Sequence, residues 1–94
     1  MRPTCKATRS IEEPHLRATR FDFEPGAETG WHVHGADYVI VAVTDCEMLL
    51  EEPGGGTRRV TVPAGTAYSR KAGVEHNVVN AGPNAMTFVE VELL

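Results

Sequence analysis

Several features of common functional classes are missing from this sequence. It contains only two cysteines, Cys5 and Cys46, which could form at most one disulfide and have no Cys-x-x-Cys partner. Cys5 lies in a polar N-terminal segment, and Cys46 comes just after a strand-like run. We therefore expect two free thiols in a reducing compartment.

Long hydrophobic segments are also absent. The longest apolar run, Tyr38 to Val43, is far too short to span a bilayer. Residues 1–20 contain no apolar stretch of the kind that forms a signal peptide. The sequence therefore predicts a cytoplasmic protein that does not associate with membranes.

Positive charge is scarce, with 9 Lys and Arg residues against 13 Asp and Glu residues and a net charge of −4. Two isolated pairs, Arg58-Arg59 and Arg70-Lys71, are the nearest approach to a basic patch, and we interpret them as solvated strand or turn residues. Because a nucleic-acid-binding protein normally carries a basic stripe, we expect no nucleic-acid partner. The sequence also lacks a Gly-x-Ser-x-Gly motif, a cysteine next to a histidine and a glycine-rich loop before a helix. These absences argue against a serine or cysteine nucleophile and against nucleotide binding.

Glycine and proline, by contrast, are plentiful. The 94 residues include 9 glycines and 6 prolines, which leave no room for long helices but allow short strands. Apolar runs alternate with turn signals at a spacing of roughly ten residues, which predicts an all-β fold of the antiparallel sandwich or barrel type. The length fits one domain. We assign residues 1–15, which are polar and irregular, to an N-terminal arm or edge strand, and residues 16–94 to a single β-barrel domain.

One predicted strand differs from the others. Tyr38–Thr44 is almost wholly apolar and β-branched, so it is predicted to be a central strand buried on both faces. The other predicted strands are Leu16–Glu24, Thr29–His34, Glu47–Glu51, Thr57–Val62, Ala67–Arg70, His76–Asn80 and Met86–Leu93.

The histidines carry the chemical signal. In a strand, residues two apart point to the same face, so His32 and His34 are expected to project into the same space. Adjacent neutral imidazoles are good ligands for Fe, Zn, Ni, Mn or Cu, although two partly exposed histidines would give the same pattern. Tyr38 shares their parity. His76 lies on a separate predicted strand, after a turn at Gly73.

Two segments resemble the cupin motifs. Gly26 to His34 (GAETGWHVH) is similar to the first half of the first motif, a glycine followed by two histidines one residue apart. Gly65 to Asn80 (GTAYSRKAGVEHNVVN) is similar to the second motif, which contains one histidine. The resemblance implies a cupin-type jelly-roll β-barrel of two antiparallel sheets, with His32, His34 and His76 around a divalent metal ion (Fe, Zn, Ni or Mn). Small cupins commonly pair their N-terminal strands across a dimer interface, so it also implies a homodimer.

The sequence departs from the family pattern at one functional position. Tyr38 stands where the family has a metal-binding glutamate, which leaves the site without its carboxylate. Tyr38 is then either a phenol that lines the pocket and donates a proton, or a filler in a barrel that has lost its metal. Glu28 shares the parity of the histidines and is an alternative carboxylate ligand. Arg70 either binds a carboxylate of the substrate or lies at the rim.

These residues support two main functional hypotheses. The first is a metal-dependent enzyme, of a dioxygenase or isomerase-like type, that acts on a small carboxylate-bearing metabolite with Tyr38 and Arg70 as catalytic residues. Some cupins hold their metal with three histidines and no glutamate, among them thiol dioxygenases and carbon–carbon-cleaving dioxygenases. The absence of the glutamate therefore does not exclude a metal-dependent enzyme. The second is a non-catalytic cupin that binds a small molecule beside a degenerate metal site. A third hypothesis is a structural module whose interior is filled with side chains.

Overall fold

The computed structural model describes residues 1–94, and all of its regular structure is β-strand. This confirms the all-β fold class, and no helix is present that could cross a membrane. The nine strands are β1 (Lys6–Glu13), β2 (Leu16–Phe23), β3 (His32–Val33), β4 (Asp37–Ala42), β5 (Cys46–Glu51), β6 (Thr57–Val62), β7 (Ala67–Arg70), β8 (Glu75–Asn80) and β9 (Met86–Leu93).

Two antiparallel sheets form the fold, in the strand orders β1-β2-β9-β4-β7 and β3-β8-β5-β6. We call them the larger and the smaller sheet. Their inner faces enclose the core, which contains Phe23, Ile40, Met48, Val78 and Phe88. The predicted jelly-roll arrangement of two antiparallel sheets is confirmed, although the strands do not form one closed ring.

Strand β4 is buried on one face only. Tyr38, Ile40 and Ala42 are buried, whereas Val39 and Val41, on the opposite face, are half-buried. The prediction that this strand is buried on both faces is therefore wrong for a single chain. It failed because the β-branched outer residues pair across the sheet with valines of β9 and have no covering layer beyond them.

The N-terminal residues join the two sheets. Strand β1 pairs only with β2, and all of its residues are exposed. The residues before it cross to the smaller sheet, where Cys5 N donates to Glu28 O and Glu28 N donates to Pro3 O, both at 2.9 Å. Glu28 also bridges to Val79 of β8. The N-terminus therefore lies against the loop that leads into β3.

Both cysteines are free in this structure. Cys46 is buried and Cys5 is half-buried. Burial raises the pKa of both thiols, which makes them weaker nucleophiles than an exposed cysteine.

Candidate metal centre

Three histidines converge on the wall of the interior. His32 on β3 lies directly opposite His76 on β8 in the strand register, and His34 follows β3 immediately. The Nε2 atom of His34 lies 3.1 Å from the Nε2 atoms of both His32 and His76. One ligand nitrogen from each of the three lies within 4.8 Å of the others. The structure therefore brings together the three residues that the sequence pattern singled out.

The backbone around His34 fixes its place. His34 N donates to Val74 O and His34 O accepts from Gly73 N, both at 2.8 Å. Gly73 has a φ of 99°, a conformation that only glycine adopts without strain. The bond to Val74 O continues the β3–β8 register, but His34 O accepts from Gly73 N in place of Val74 N, so the regular ladder ends at Val33. The two bonds tie the two histidine-bearing segments together.

The buried histidines are in the form that binds metals. Burial lowers the pKa of both His34 and His76 to about 4, with a further contribution from the neighbouring His32. Both rings are therefore neutral at neutral pH. A neutral imidazole has a free nitrogen lone pair, which a metal ion needs.

The orientation of His32 is set by a backbone carbonyl. His32 Nδ1 lies 2.9 Å from Gly30 O, and because a carbonyl oxygen only accepts, Nδ1 must carry the proton. Nε2, which faces His34, is then the nitrogen with the free lone pair. Gly30 is itself held, since its N–H donates to Asn77 Oδ1 at 2.9 Å.

A polar network extends outward from Asn77. Its Nδ2 donates to Glu28 at 2.8 Å and to Glu51 at 2.9 Å, and Arg2 donates to both carboxylates. Hydrogen bonds from Asn77 and Arg2 lower the pKa of Glu28, and those from Arg2 and Asn77 lower the pKa of Glu51. We call these four residues the outer network. It occupies the carboxylate of Glu28, so the alternative prediction that Glu28 is a metal ligand is not met in the structure.

The spacing of the histidines fits a metal ion. Two nitrogens that share one metal at roughly 2.0–2.1 Å are about 2.9 Å apart at a right angle and about 3.4 Å apart in a tetrahedron. The two separations from His34 Nε2, to His32 Nε2 and to His76 Nε2, are both 3.1 Å and lie between these values, and all three ligand nitrogens lie within 4.8 Å of one another. Together with the neutral rings and the fixed Nδ1 proton of His32, this geometry matches a three-nitrogen site of the kind that binds Zn, Fe, Ni or Mn.

Tyr38 lies beside the histidines, as its parity predicted. Its ring stacks on that of His34, with centroids 3.8 Å apart and an interplanar angle of 15°. Burial raises the pKa of Tyr38 to about 12, so the phenol keeps its proton at neutral pH. It can therefore donate a hydrogen bond into the pocket.

Arg70 lies away from the histidines. The side chain is exposed, its guanidinium sits 4.6 Å from the centroid of the Tyr68 ring, and it donates to Ser69 O. It lines an adjoining groove that shares Tyr38, Tyr68 and His76 with the main cavity, but not the cavity itself. In this structure Arg70 therefore occupies a rim position.

The cavity between the sheets has a volume of about 260 Å³. The three histidines and Tyr38 form part of its wall, and most of the rest is apolar: Phe21, Ile40, Met48, Tyr68, Val78 and Phe88. The only carboxylate in the lining is that of Glu90 on β9, whose Oε1 lies 3.7 Å from His34 Nδ1.

Sequence reasoning missed Glu90. Its pKa is raised to about 7, mainly by burial and further by the charge of Glu92. The sequence alone could have indicated Glu90, because it has the same parity as Met86 and Phe88, the inward-facing residues of an alternating strand. A charged residue at such a position is unusual and marks a candidate site.

Comparison with known proteins supports this description. The chain matches the cupin domain family over residues 19–92. The beta-alanine degradation protein BauB of Pseudomonas aeruginosa is 49% identical over 92 residues, which cover 98% of this chain and 96% of that protein.

Solved structures agree with the family match. A cupin domain from Bordetella pertussis superimposes with a TM-score of 0.95 at 40% identity and covers 100% of this chain and 97% of that one. The polyketide cyclase RemF of Streptomyces resistomycificus, at 23% identity and a TM-score of 0.73, covers 98% of this chain and 68% of its own, and it shares the fold. The two-sheet architecture, the match over most of the chain and the close relatives show that this protein belongs to the cupin family.

Proposed function

We propose that this cupin holds a divalent metal ion through His32, His34 and His76 and acts on a small molecule bound in the adjoining cavity. The convergence of three histidine nitrogens on the wall of a cavity of about 260 Å³ carries the proposal. Surface histidines rarely meet in this way, and buried neutral imidazoles are the usual ligands of Zn, Fe, Ni and Mn.

The residues around the site have separate roles in such an enzyme. A metal held here would supply Lewis-acid or redox chemistry to a bound molecule, as in a dioxygenase or an isomerase-like enzyme. The protonated phenol of Tyr38 would donate a hydrogen bond or a proton to that molecule. The apolar wall excludes water and strengthens each polar contact inside the cavity.

The substrate class follows in part from the relatives. BauB carries a name that refers to β-alanine degradation, which favours a small amino acid or keto acid and therefore a carboxylate-bearing metabolite. We propose that such a carboxylate is directed to the metal, because Arg70 does not line the main cavity.

Metal analysis tests the proposal directly. Protein produced in medium with Fe, Ni, Mn and Zn should contain a divalent ion in stoichiometric amount, and His32→Ala should lose it. If no metal is bound, and if His32→Ala changes neither stability nor ligand binding, the proposal fails.

A non-catalytic small-molecule binder is the second candidate. The observation in its favour is Tyr38, a neutral phenol at the position where a charged ligand was expected. A binder would be stabilised against heat by its ligand without forming a product. Metal-dependent turnover of any dioxygenase or isomerase substrate would exclude it.

We also propose that the protein is a homodimer in the cytoplasm. The half-buried valines on the outer face of β4 and β9, and the fully exposed edge strand β1, offer a surface that a second copy would cover. Two unpaired cysteines support a reducing compartment. Sedimentation equilibrium should give twice the mass of the chain, and a monomer would contradict the proposed dimer. Cell fractionation tests the cytoplasmic location.

A further inference from the structure

The carboxylate of Glu90 lies in the cavity without a hydrogen-bond partner. Its side chain is 13% exposed, and its Oε1 lies 3.7 Å from His34 Nδ1. This distance exceeds that of a hydrogen bond. No hydrogen bond contributes to the environment of this carboxylate.

The neighbouring glutamate shows what a satisfied carboxylate looks like on the same strand. Glu92 is also mostly buried, but its carboxylate lies 3.0 Å from the guanidinium of Arg17. Leaving a buried polar group without a partner costs free energy. Because Glu90 faces the cavity, a molecule that carries a hydrogen-bond donor there would supply this partner.

The composition of the cavity wall restricts that partner. No lysine or arginine lines the cavity, and besides the histidines, Thr29 and the phenols its walls are apolar. A negatively charged group would find only uncharged donors in the wall, such as the phenols and Thr29, and would lie in the same cavity as the Glu90 carboxylate. A positively charged hydrogen-bond donor, by contrast, would find one carboxylate that has no competing partner.

We propose that the cavity binds a small molecule bearing an ammonium group, and that Glu90 accepts the hydrogen bonds of this group. The inference rests on the proposed function in one respect, since the opposite end of the ligand would face the three histidines. Glu90, on β9, would then recognise the ligand, and Arg70 would not contact it. A short apolar chain between the two ends would match Ile40, Val78 and Phe88.

Three four-carbon probes test the charge preference: butylamine, butyrate and butanol. Each is titrated by calorimetry into the wild type, Glu90→Gln and Arg70→Gln, in a mildly alkaline buffer, with and without bound metal. Glu24→Gln, which removes the same charge at an exposed position, is the matched control. Glutamine has the shape of glutamate, so Glu90→Gln should stay folded, and thermal melting verifies this.

We expect the wild type and Glu24→Gln to prefer butylamine to the other two probes. Because hydrogen bonds to charged groups are strong, Glu90→Gln should weaken butylamine binding by at least about tenfold, whereas Arg70→Gln should leave it unchanged. Tighter binding of butyrate than of butylamine to metal-free wild type would overturn the inference. Equal butylamine affinity in Glu90→Gln and wild type, or no binding of butylamine at all, would do the same.

These outcomes are separable from those of the metal proposal. Metal content is measured on the same preparations, and the preference for butylamine is expected in metal-free protein as well. A protein that takes up no divalent metal when it is offered, yet selects butylamine through Glu90, refutes the metal site alone. A metal-loaded protein without this selectivity refutes the ligand class alone.

Discussion

The two sheets contribute different chemistry to the same cavity. The smaller sheet provides His32 and His76, with His34 directly after β3, and behind them lies the outer network. The larger sheet provides Tyr38 on β4 and Glu90 on β9, together with most of the apolar wall. In the proposed function, the smaller sheet holds the metal ion and the larger sheet contacts the ligand.

The two sides also differ in how well their polar groups are satisfied. On the smaller sheet, His32, Gly30 and Asn77 form a continuous series of hydrogen bonds. On the larger sheet, Tyr38 is held by ring stacking and Glu90 by no hydrogen bond. A rigid polar frame suits a metal site, and unpaired groups suit a surface that a ligand completes. Substitutions on the two sides should therefore have different consequences.

The largest effect is expected on the histidine side. His76→Ala removes one of three ligands and should lower divalent-metal affinity by more than about a hundredfold, beyond the ten- to hundredfold typical of outer-shell changes. Competition with a chelator measures it. His15→Ala, an exposed histidine in the turn after β1, is the control and should bind metal normally. Wild-type affinity in His76→Ala would place the metal elsewhere.

The second prediction separates the two sides by pH, in metal-free protein. Burial raises the Glu90 pKa from 4.5 to about 7, so between these values the folded state holds more protons than the unfolded state. The contribution of Glu90 to the free energy of unfolding therefore falls as pH rises from 4.5 to 7. Through this window the free energy of unfolding of Glu90→Gln should rise relative to that of the wild type. The difference should be at most about 1.4 kcal/mol for each pH unit by which the Glu90 pKa is raised.

The histidines should act in the opposite direction. Because the pKa of His34 and His76 is lowered from 6.5 to about 4, the unfolded state holds more protons between these values, and stability falls as the pH drops from 6.5 towards 4. Urea denaturation across this range measures both slopes, with Glu24→Gln as the control for Glu90→Gln. A pH-independent difference between wild type and Glu90→Gln would contradict the assignment.

A smaller effect is expected from the outer network. Asn77→Ala removes the acceptor that holds Gly30, and with it the fixed orientation of His32, so metal affinity should fall about tenfold. Arg2→Ala should act in the same direction but more weakly, since Asn77 still bonds both carboxylates. Arg59→Ala, an exposed arginine on β6, is the control. If Asn77→Ala lowers the melting temperature while metal affinity stays unchanged, the network is structural only.

The smallest effect on metal binding is expected from Tyr38→Phe. The ring that stacks on His34 is retained and only the hydroxyl is lost, so chelator competition should give an affinity within about twofold of the wild type. Turnover or ligand binding should fall instead. A loss of metal as large as that in His76→Ala would make the phenol oxygen a ligand and remove the division between the sheets.

Much of the fold was predictable from turn signals and alternation. The bounds of β6, β7 and β9 agree with the predicted strands. Strand β6 lies between Gly56 and Pro63, and β7 and β9 each begin shortly after a turn that contains proline and glycine. Strand β3 is shorter than predicted because its pairing with β8 becomes irregular after Val33, where His34 O accepts from Gly73 N and not from Val74 N. Strand β1 lacks apolar alternation, and only its pairing with β2 shows it to be a strand.

The candidate site was predictable where it depends on strand parity and hidden where it depends on long-range contacts. Parity placed His32, His34 and Tyr38 in one space. Nothing in the local pattern indicated that Asn77 and Arg2 belong to one network. They lie on distant segments of the chain and are linked only through two glutamates. Glu90 was overlooked because its strand was interpreted through its apolar residues alone.

The separation of the ligands along the chain has a consequence for folding. His34 and His76 are 42 residues apart, and Arg2 and Glu51 are 49 apart. Such distant contacts form only after long loops close, and chains dominated by them fold slowly, in roughly milliseconds to seconds. The three histidines therefore come together only once β3 has paired with β8 in the smaller sheet. A metal ion that binds only after these contacts have formed would slow unfolding of the protein. It would have little effect on the rate of folding.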